Sequence, residues 1–263
     1  MVTGFITDSN GNTRHFDETT GLLTRGWLTD TDEYKYYFYS GSGVMAKGWV
    51  ENKKEQKRYF SQANGRMCTG WVKSSAGNYR YFKPSNGIMY TGLEKIDSDY
   101  YYFSKSTGVR YQKGFGTVGS KKYYFNPSDG KAKTGWLKLD GKKYYFDSNG
   151  IRYSGVKKIS GKYYYFSDKG VLRTKTVKVG NTIYYCTEKG ILEAWKKGKT
   201  IYYPNGKKMN STKAYEYETL QRAKDVVSKI TKPSMSKSEK FETCFRWVMY
   251  QHYLSLIHIS EPT

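Results

Sequence analysis

Glycine recurs in this chain on a fixed beat. Gly4, Gly26, Gly48, Gly70, Gly92 and Gly114 stand 22 residues apart, and the series continues at Gly135 and Gly155 before decaying to Thr176 and Ala194. A bulky residue follows each of them: Phe5, Trp27, Trp49, Trp71, Leu93, Phe115, Trp136, Val156, Val177 and Trp195. Roughly ten residues later an aromatic pair returns, from His15-Phe16, Tyr37-Phe38, Tyr59-Phe60 and Tyr81-Phe82 through Tyr145-Phe146 to Tyr165-Phe166, with echoes at Tyr185-Cys186 and Tyr203-Pro204. Past each of the first eight pairs sits another glycine, from Gly21 and Gly43 to Gly150 and Gly170. Self-similarity at a period of 20–22 residues confines the chain to a stacked-repeat architecture.

Each unit reads as a β-hairpin. Gly135-Trp136-Leu137-Lys138-Leu139 and Lys143-Tyr144-Tyr145-Phe146 flank Asp140-Gly141, and Asp-Gly is a strong hairpin-turn signal. Asn64-Gly65, Asn86-Gly87 and Asn149-Gly150 then turn the chain toward the next unit. One hairpin alone is marginal in water, so stability has to come from neighbours. The expected fold is mainly β: a solenoid of about ten stacked hairpins over residues 2–209, with a short α-helical stub behind it. Leu, Ile, Val and Phe make up only 47 of 263 residues at a net charge of +22, a balance that ordinarily signals disorder. The 28 tyrosines, 12 phenylalanines and 6 tryptophans outweigh that signal, because each ring can bury about 150–250 Å². Strand alternation puts Tyr36 and Phe38 on one face and Lys35 and Tyr37 on the other, so Phe38 and its equivalents are the expected core.

The unit, Gly-Trp, then Tyr-Tyr-Phe, then Gly and Gly-Trp again, resembles the cell-wall-binding repeats of secreted Gram-positive proteins, with the likeness running from Val2 to Met209. Related arrays include the choline-binding repeats of autolysins, the glucan-binding repeats of glucosyltransferases and the receptor-binding repeats of glucosylating toxins. In the choline-binding members the resemblance implies a cage for a quaternary ammonium at each junction. Its walls are the Gly-Trp indole, a Trp just before Tyr-Tyr-Phe, and an aromatic from the next unit. Here the second wall is Lys35, Lys57, Lys122 and Lys143, or Ile183, and is aromatic only at Tyr79, Tyr100 and Tyr163. A lysine in that wall repels a cation and disfavours choline. Sugars fit better, stacking on Trp and Tyr with polar side chains at the edge. The expected ligand contacts are Trp27, Trp49, Trp71 and Trp136, with Tyr37, Tyr59, Tyr81 and Tyr145 beside them. Whether these tryptophans line a ligand or only fill the solenoid, the sequence leaves open.

Charge divides the array. Residues 1–112 hold 15 basic and 11 acidic side chains, whereas residues 113–210 hold 22 and 6. The second stretch is either a solvated face or an attractor for anionic polymer such as teichoic acid, acidic capsule or host glycosaminoglycan. Nucleic acid is disfavoured, since the rings recur at hairpin period and no nucleic-acid module is present. Gly114-Phe115-Gly116-Thr117-Val118-Gly119 spells a dinucleotide fingerprint, but a strand follows it where a helix N-terminus is required. No cofactor, metal site or catalytic set is expected. Cys68 and Cys186 lie too many units apart for a disulfide. The chain has no apolar run long enough to span a bilayer.

After Met209 a helical period appears, with Leu220, Ala223, Val227 and Ile230 on one stripe and Thr231-Lys232-Pro233 as its stop. Ser236-Lys237-Ser238-Glu239 is a capping box that opens a second helix with Phe241, Cys244, Phe245, Val248 and Met249 on one face. Residues 213–253 resemble the helical opening of transglutaminase-like cysteine enzymes, whose catalytic residues come later in the chain, so none is carried over. Cys244 and His252 are eight apart on one helix, or ~12 Å along its axis, beyond hydrogen-bond reach. Residues 254–263 resemble the translation of a sequencing adapter. The start beside a repeat glycine, without an export signal, and the uncovered helix faces lead to the expectation of a chain truncated at both ends. The expected function is non-catalytic: a monomeric, secreted module that binds wall polysaccharide, glucan or teichoic acid and holds a protein at the cell surface. The alternatives are a structural spacer displaying a downstream cysteine enzyme, and a toxin- or adhesin-like binder of host glycans.

Overall fold

The computed structural model describes the backbone of residues 2–259 and the side chains of residues 2–249. It divides into two units, residues 1–153 and 154–263.

In the first unit every glycine beat opens a hairpin. The antiparallel pairs are β1 (Gly4–Thr7) with β2 (Thr13–Phe16), β3 (Gly26–Thr29) with β4 (Lys35–Phe38), β5 (Gly48–Glu51) with β6 (Lys57–Phe60) and β7 (Gly70–Lys73) with β8 (Tyr79–Phe82). They continue as β9 (Gly92–Ile96) with β10 (Asp99–Phe103), β11 (Gly114–Val118) with β12 (Lys121–Phe125) and β13 (Gly135–Leu139) with β14 (Lys142–Phe146). The early hairpins close with longer loops built on an acceptor side chain, as where Asp8 Oδ1 takes the N–H groups of Asn10 and Asn12. The last uses Asp140-Gly141, with φ of 49° and 71°, the double positive φ of a two-residue turn whose twist matches the strands.

Stacking follows one rule repeated along the unit. After each Phe the chain turns and bridges back, pairing Phe38 with Met45, Phe60 with Met67 and Phe82 with Met89. The N–H of that returning residue then reaches the previous hairpin: Met67 donates to the Lys35 carbonyl, Met89 to Lys57, Arg110 to Tyr79 and Ala132 to Tyr100, each at 2.8 Å. The turn glycine lies directly on the preceding methionine. A β-carbon at Gly87 would come within 2.5 Å of Met67 Sδ, at a φ of 66° that already favours glycine. Under all this runs a column of phenylalanines, Phe38, Phe60, Phe82, Phe103, Phe125 and Phe146, none more than 1% exposed. These are the expected core residues, and burial alternates along β4 as strand geometry requires, with Tyr36 and Phe38 inside.

The second unit begins with the hairpin β15 (Gly155–Ile159) and β16 (Lys162–Phe166), then departs from the pattern. The strands β17 (Val177–Val179), β18 (Thr182–Cys186), β19 (Leu192–Lys197) and β20 (Thr200–Tyr202) form one four-stranded meander, because β18 and β19 also pair with each other. The ten expected hairpins are all present among the described residues, with the last two joined edge to edge where the repeat consensus decays. No residue from 20 to 200 is helical.

Two helices follow, α1 (Ser211–Ile230) and α2 (Lys237–Ile259). Asn210 caps α1 by accepting the Lys213 N–H, and Thr231 ends it. The capping box closes in both directions: Ser236 N–H donates to Glu239 Oε2 and Glu239 N–H to Ser236 Oγ. The face of α1 that packs differs from the expected stripe. Ala214 and Tyr217 lie against Ala194, Ile201 and Met209, and Lys196 is paired with Glu218, while Leu220, Ala223 and Val227 face solvent. Docking of the helix on its own unit's strands begins in its first two turns and reaches Lys224, whose Nζ lies 3.8 Å from Glu193 Oε2. Cys244, on the expected apolar face of α2, is only half-buried. That helix runs beyond residue 253; residues 260–263 of the adapter-like segment, and the side chains of 250–259, lie outside the described residues. No helix is long and apolar enough to cross a membrane among those described.

Candidate functional site

Hairpin register decides what stands beside each tryptophan. Trp27 pairs across the strands with Tyr37, Trp49 with Tyr59, Trp71 with Tyr81 and Trp136 with Tyr145, at ring-centroid distances of 5.2, 5.0, 5.0 and 5.0 Å. All eight residues singled out in the sequence therefore form four cross-strand pairs. The indoles remain 51, 48, 39 and 41% exposed, quite unlike the phenylalanines. Each of the first three rests one edge on the core of the next repeat, with Trp27 to Phe60 at 6.0 Å, Trp49 to Phe82 at 5.9 Å and Trp71 to Phe103 at 5.8 Å.

The outer face of these three indoles carries a cation from the chain itself. Arg58 lies 5.4 Å from the Trp27 ring centroid, Arg80 5.4 Å from that of Trp49, and Arg110 5.3 Å from that of Trp71. Arg58 and Arg80 occupy the strand position that is Tyr36 in β4 and Tyr101 in β10, so a guanidinium replaces an aromatic wall. At the third junction the walls are all aromatic, Trp71, Tyr79 and Tyr101, and the guanidinium arrives from the methionine position instead. Arg110 also lies 4.5 Å from the Tyr79 centroid, and its Nε is buried without a hydrogen-bond partner. Burial holds the pKa of Arg58 and Arg110 below the usual guanidinium range.

The same holds at the second wall. Wherever that position is a tyrosine, a lysine from the facing strand covers it: Lys73 over Tyr79, Lys95 over Tyr100 and Lys158 over Tyr163, at 5.5, 5.6 and 5.7 Å. At Lys35, Lys57, Lys122 and Lys143 the position is lysine, and Lys122 is turned to Thr117 Oγ1 at 2.9 Å. The arginines escape a reading of the sequence because stacking, not strand spacing, brings them to the indoles. Overlaying the units would have shown Arg58 and Arg80 in a tyrosine column and Arg110 in a methionine column.

Two groups of repeat sequences match this chain. A family described as a choline-binding repeat covers residues 54–92 and 112–151, and one described as a cell wall binding repeat covers residues 91–109 and 157–172. These stretches of the array are similar to choline-binding and cell wall binding repeats. Among solved structures, choline binding protein F from Streptococcus pneumoniae, determined in the presence of a tetrasaccharide-pentapeptide peptidoglycan analogue, is 28% identical with a TM-score of 0.56. That match covers 65% of this chain, which spans 58% of the length of that one. CbpJ from Streptococcus pneumoniae TIGR4 is 20% identical over 79% of this chain and 94% of its own, with a TM-score of 0.52. The modular autolysin LytC of Streptococcus pneumoniae is 20% identical over 80% of this chain and 48% of its own, at a TM-score of 0.50. No curated protein sequence matches. The stretch matched from 54 to 92 includes Arg58 and Arg80.

Proposed function

We propose that the array is a non-catalytic module that holds a secreted protein at a cell surface by binding wall polysaccharide or an anionic wall polymer, and that it acts as a monomer. One observation carries this reading: half-exposed indoles, each with a tyrosine beside it, recur at hairpin period above a phenylalanine column that already supplies the core. The exposed part of these rings offers apolar area to sugar faces. The cations on those rings speak against choline, since a second positive charge would sit beside the first. Residues 113–210, with 22 basic and 6 acidic side chains, add attraction for acidic polymer. Sedimentation with purified cell wall, with and without its teichoic acid, tests the proposal. Retention that survives salt assigns binding to the rings, retention abolished by modest salt assigns it to the basic stretch, and no retention on either preparation overturns the proposal.

A second reading, the spacer that displays another domain, is favoured by α2. Phe241, Phe245, Val248 and Met249 are 74, 56, 56 and 53% exposed on one face. That is the face which the opening helices of a transglutaminase-like domain would turn toward the rest of it. Binding of host glycans by the same rings has no separate observation behind it.

A further inference from the structure

The junctions at Trp27 and Trp49 are built alike and differ from the rest. Each is a cleft, of about 280 Å³ at Trp27 and 380 Å³ at Trp49, near the lower end of small-molecule sites. Three successive repeats make each one. In the first, the hairpin β3–β4 supplies Trp27, Thr29 and Lys35, the hairpin β5–β6 supplies Arg58, and the turn that follows β7–β8 supplies Ser85 and Asn86. In the second the same places hold Trp49, Glu51 and Lys57, then Arg80, then Ser106 and Thr107.

The arginine is fixed from behind. Arg58 Nε donates to the Asn86 carbonyl at 2.8 Å and Arg80 Nε to the Thr107 carbonyl at 2.9 Å. Its guanidinium carbon lies 5.4 Å from the indole centroid in each cleft. The terminal nitrogens make no hydrogen bond among the described residues, so an oriented fork with its donors unspent faces the cleft together with a lysine ammonium. The third junction lacks this arrangement, because Arg110 is turned inward among aromatic rings. No carboxylate lines the first cleft, while in the second Glu51 lies 3.7 Å from Lys57 and offsets part of its charge.

An apolar ring face, a preset guanidinium fork and a second cation, all within one small cleft, are complementary to a sugar that carries a negative group. The geometry points to the Trp27 and Trp49 clefts as paired sites for an acidic saccharide, one ring bearing a carboxylate or a phosphate in each, closed to quaternary ammonium. This rests on the wall-binding reading and narrows its ligand. Two equivalent sites one repeat apart would engage successive units of one polymer, with the Trp27 cleft the stronger because its charge is uncompensated.

The test immobilises the full chain and measures binding of three probes: hyaluronan oligosaccharide for carboxylate, phosphomannan oligosaccharide for phosphate and dextran oligosaccharide as the neutral sugar. The variant is Lys35→Gln with Lys57→Gln, two partly exposed side chains whose loss leaves the core untouched. Its comparison is Lys121→Gln with Lys142→Gln, which removes two equally positive charges from the basic stretch. The expected result is that one or both acidic probes bind, that choline does not compete, and that K35Q/K57Q loses about tenfold in affinity, the worth of a charge-assisted bond, while K121Q/K142Q loses clearly less. Whichever acidic probe binds identifies the negative group. Equal losses in both variants would reduce the binding to diffuse charge and overturn the inference. Equal affinity for dextran would do the same while leaving the wall-binding reading intact. Failure to bind any probe or purified wall would end both.

Discussion

Arg110→Met is the substitution on which the built-in cations can be tested most sharply, because methionine is what three earlier repeats hold at that position: Met45, Met67 and Met89. The guanidinium contacts two ring faces, at 5.3 Å from Trp71 and 4.5 Å from Tyr79, together worth about 1–2 kcal/mol. Its Nη2 bond to Gln112 adds about 1 kcal/mol. Against these stands Nε, buried without a partner at a cost of about 1–3 kcal/mol. The aliphatic stem lies beneath Gly130 as Met67 lies beneath Gly87, so methionine keeps that contact. Losses and gains cancel to within about 1 kcal/mol, and the variant should unfold in urea at nearly the same midpoint as the parent. It should also gain a property. With the cation gone, Trp71, Tyr79 and Tyr101 present three aromatic faces, so tetramethylammonium should quench tryptophan fluorescence in R110M and not in the parent. A stability loss above about 2 kcal/mol would show the guanidinium to be a required clasp and refute the cancellation. A folded R110M that ignores tetramethylammonium would show that Arg110 is not what closes the cage.

Trp49→Ala should weaken retention on wall glycan at a cost of about 1–2 kcal/mol, because only half of its side chain is buried, whereas Phe82→Ala should cost about 3–5 kcal/mol; equal losses on urea unfolding would make Trp49 a core residue. Gly92 and Gly87 both have positive φ, 81° and 66°, but only Gly87 has a neighbour in the way. Gly92→Ala should therefore cost about 1–2 kcal/mol and Gly87→Ala distinctly more, and the reverse order in thermal melts would refute the glycine-on-methionine contact. Burial pushes the Cys186 thiol up to about 11. An acid whose folded pKa is raised contributes stability that is complete below its unfolded pKa of about 8.5 and is lost as pH rises through 11. The parent should weaken over that window by roughly 3 kcal/mol more than Cys186→Ser, and parallel pH profiles for the two proteins would overturn the assignment.

The repeat was legible because each hairpin repeats its own instructions locally: a glycine for the positive φ, an Asp-Gly or Asx loop, an alternating Tyr-Phe strand. Phe38 and its equivalents could be assigned to the core from alternation alone, and the cross-strand pairing of Trp27 with Tyr37 follows from the loop length between them. What lay beyond the sequence was whatever depends on contacts between units. The arginines meet tryptophans about thirty residues earlier, Trp27 with Arg58 and Trp49 with Arg80, and nothing in the spacing names that pairing. The merger of β17–β20 into one sheet arises where the turn sequences have drifted and two hairpin edges are left free to pair. The docking face of α1 was misjudged because hydrophobicity favoured Leu220 and Val227, while the strands beneath offered a site that suits Ala214 and Tyr217.

The backbone N–H that reaches from each returning turn to the hairpin before it has a mechanical meaning. Met67 to Lys35, Met89 to Lys57 and Arg110 to Tyr79 are separate attachments, each loaded only after the neighbouring repeat has let go. Tension along the chain would therefore free one repeat at a time, each 22-residue step releasing on the order of 75 Å of slack when fully extended. A load carried through such a stack would be met by stepwise lengthening, with the repeats not yet released still folded.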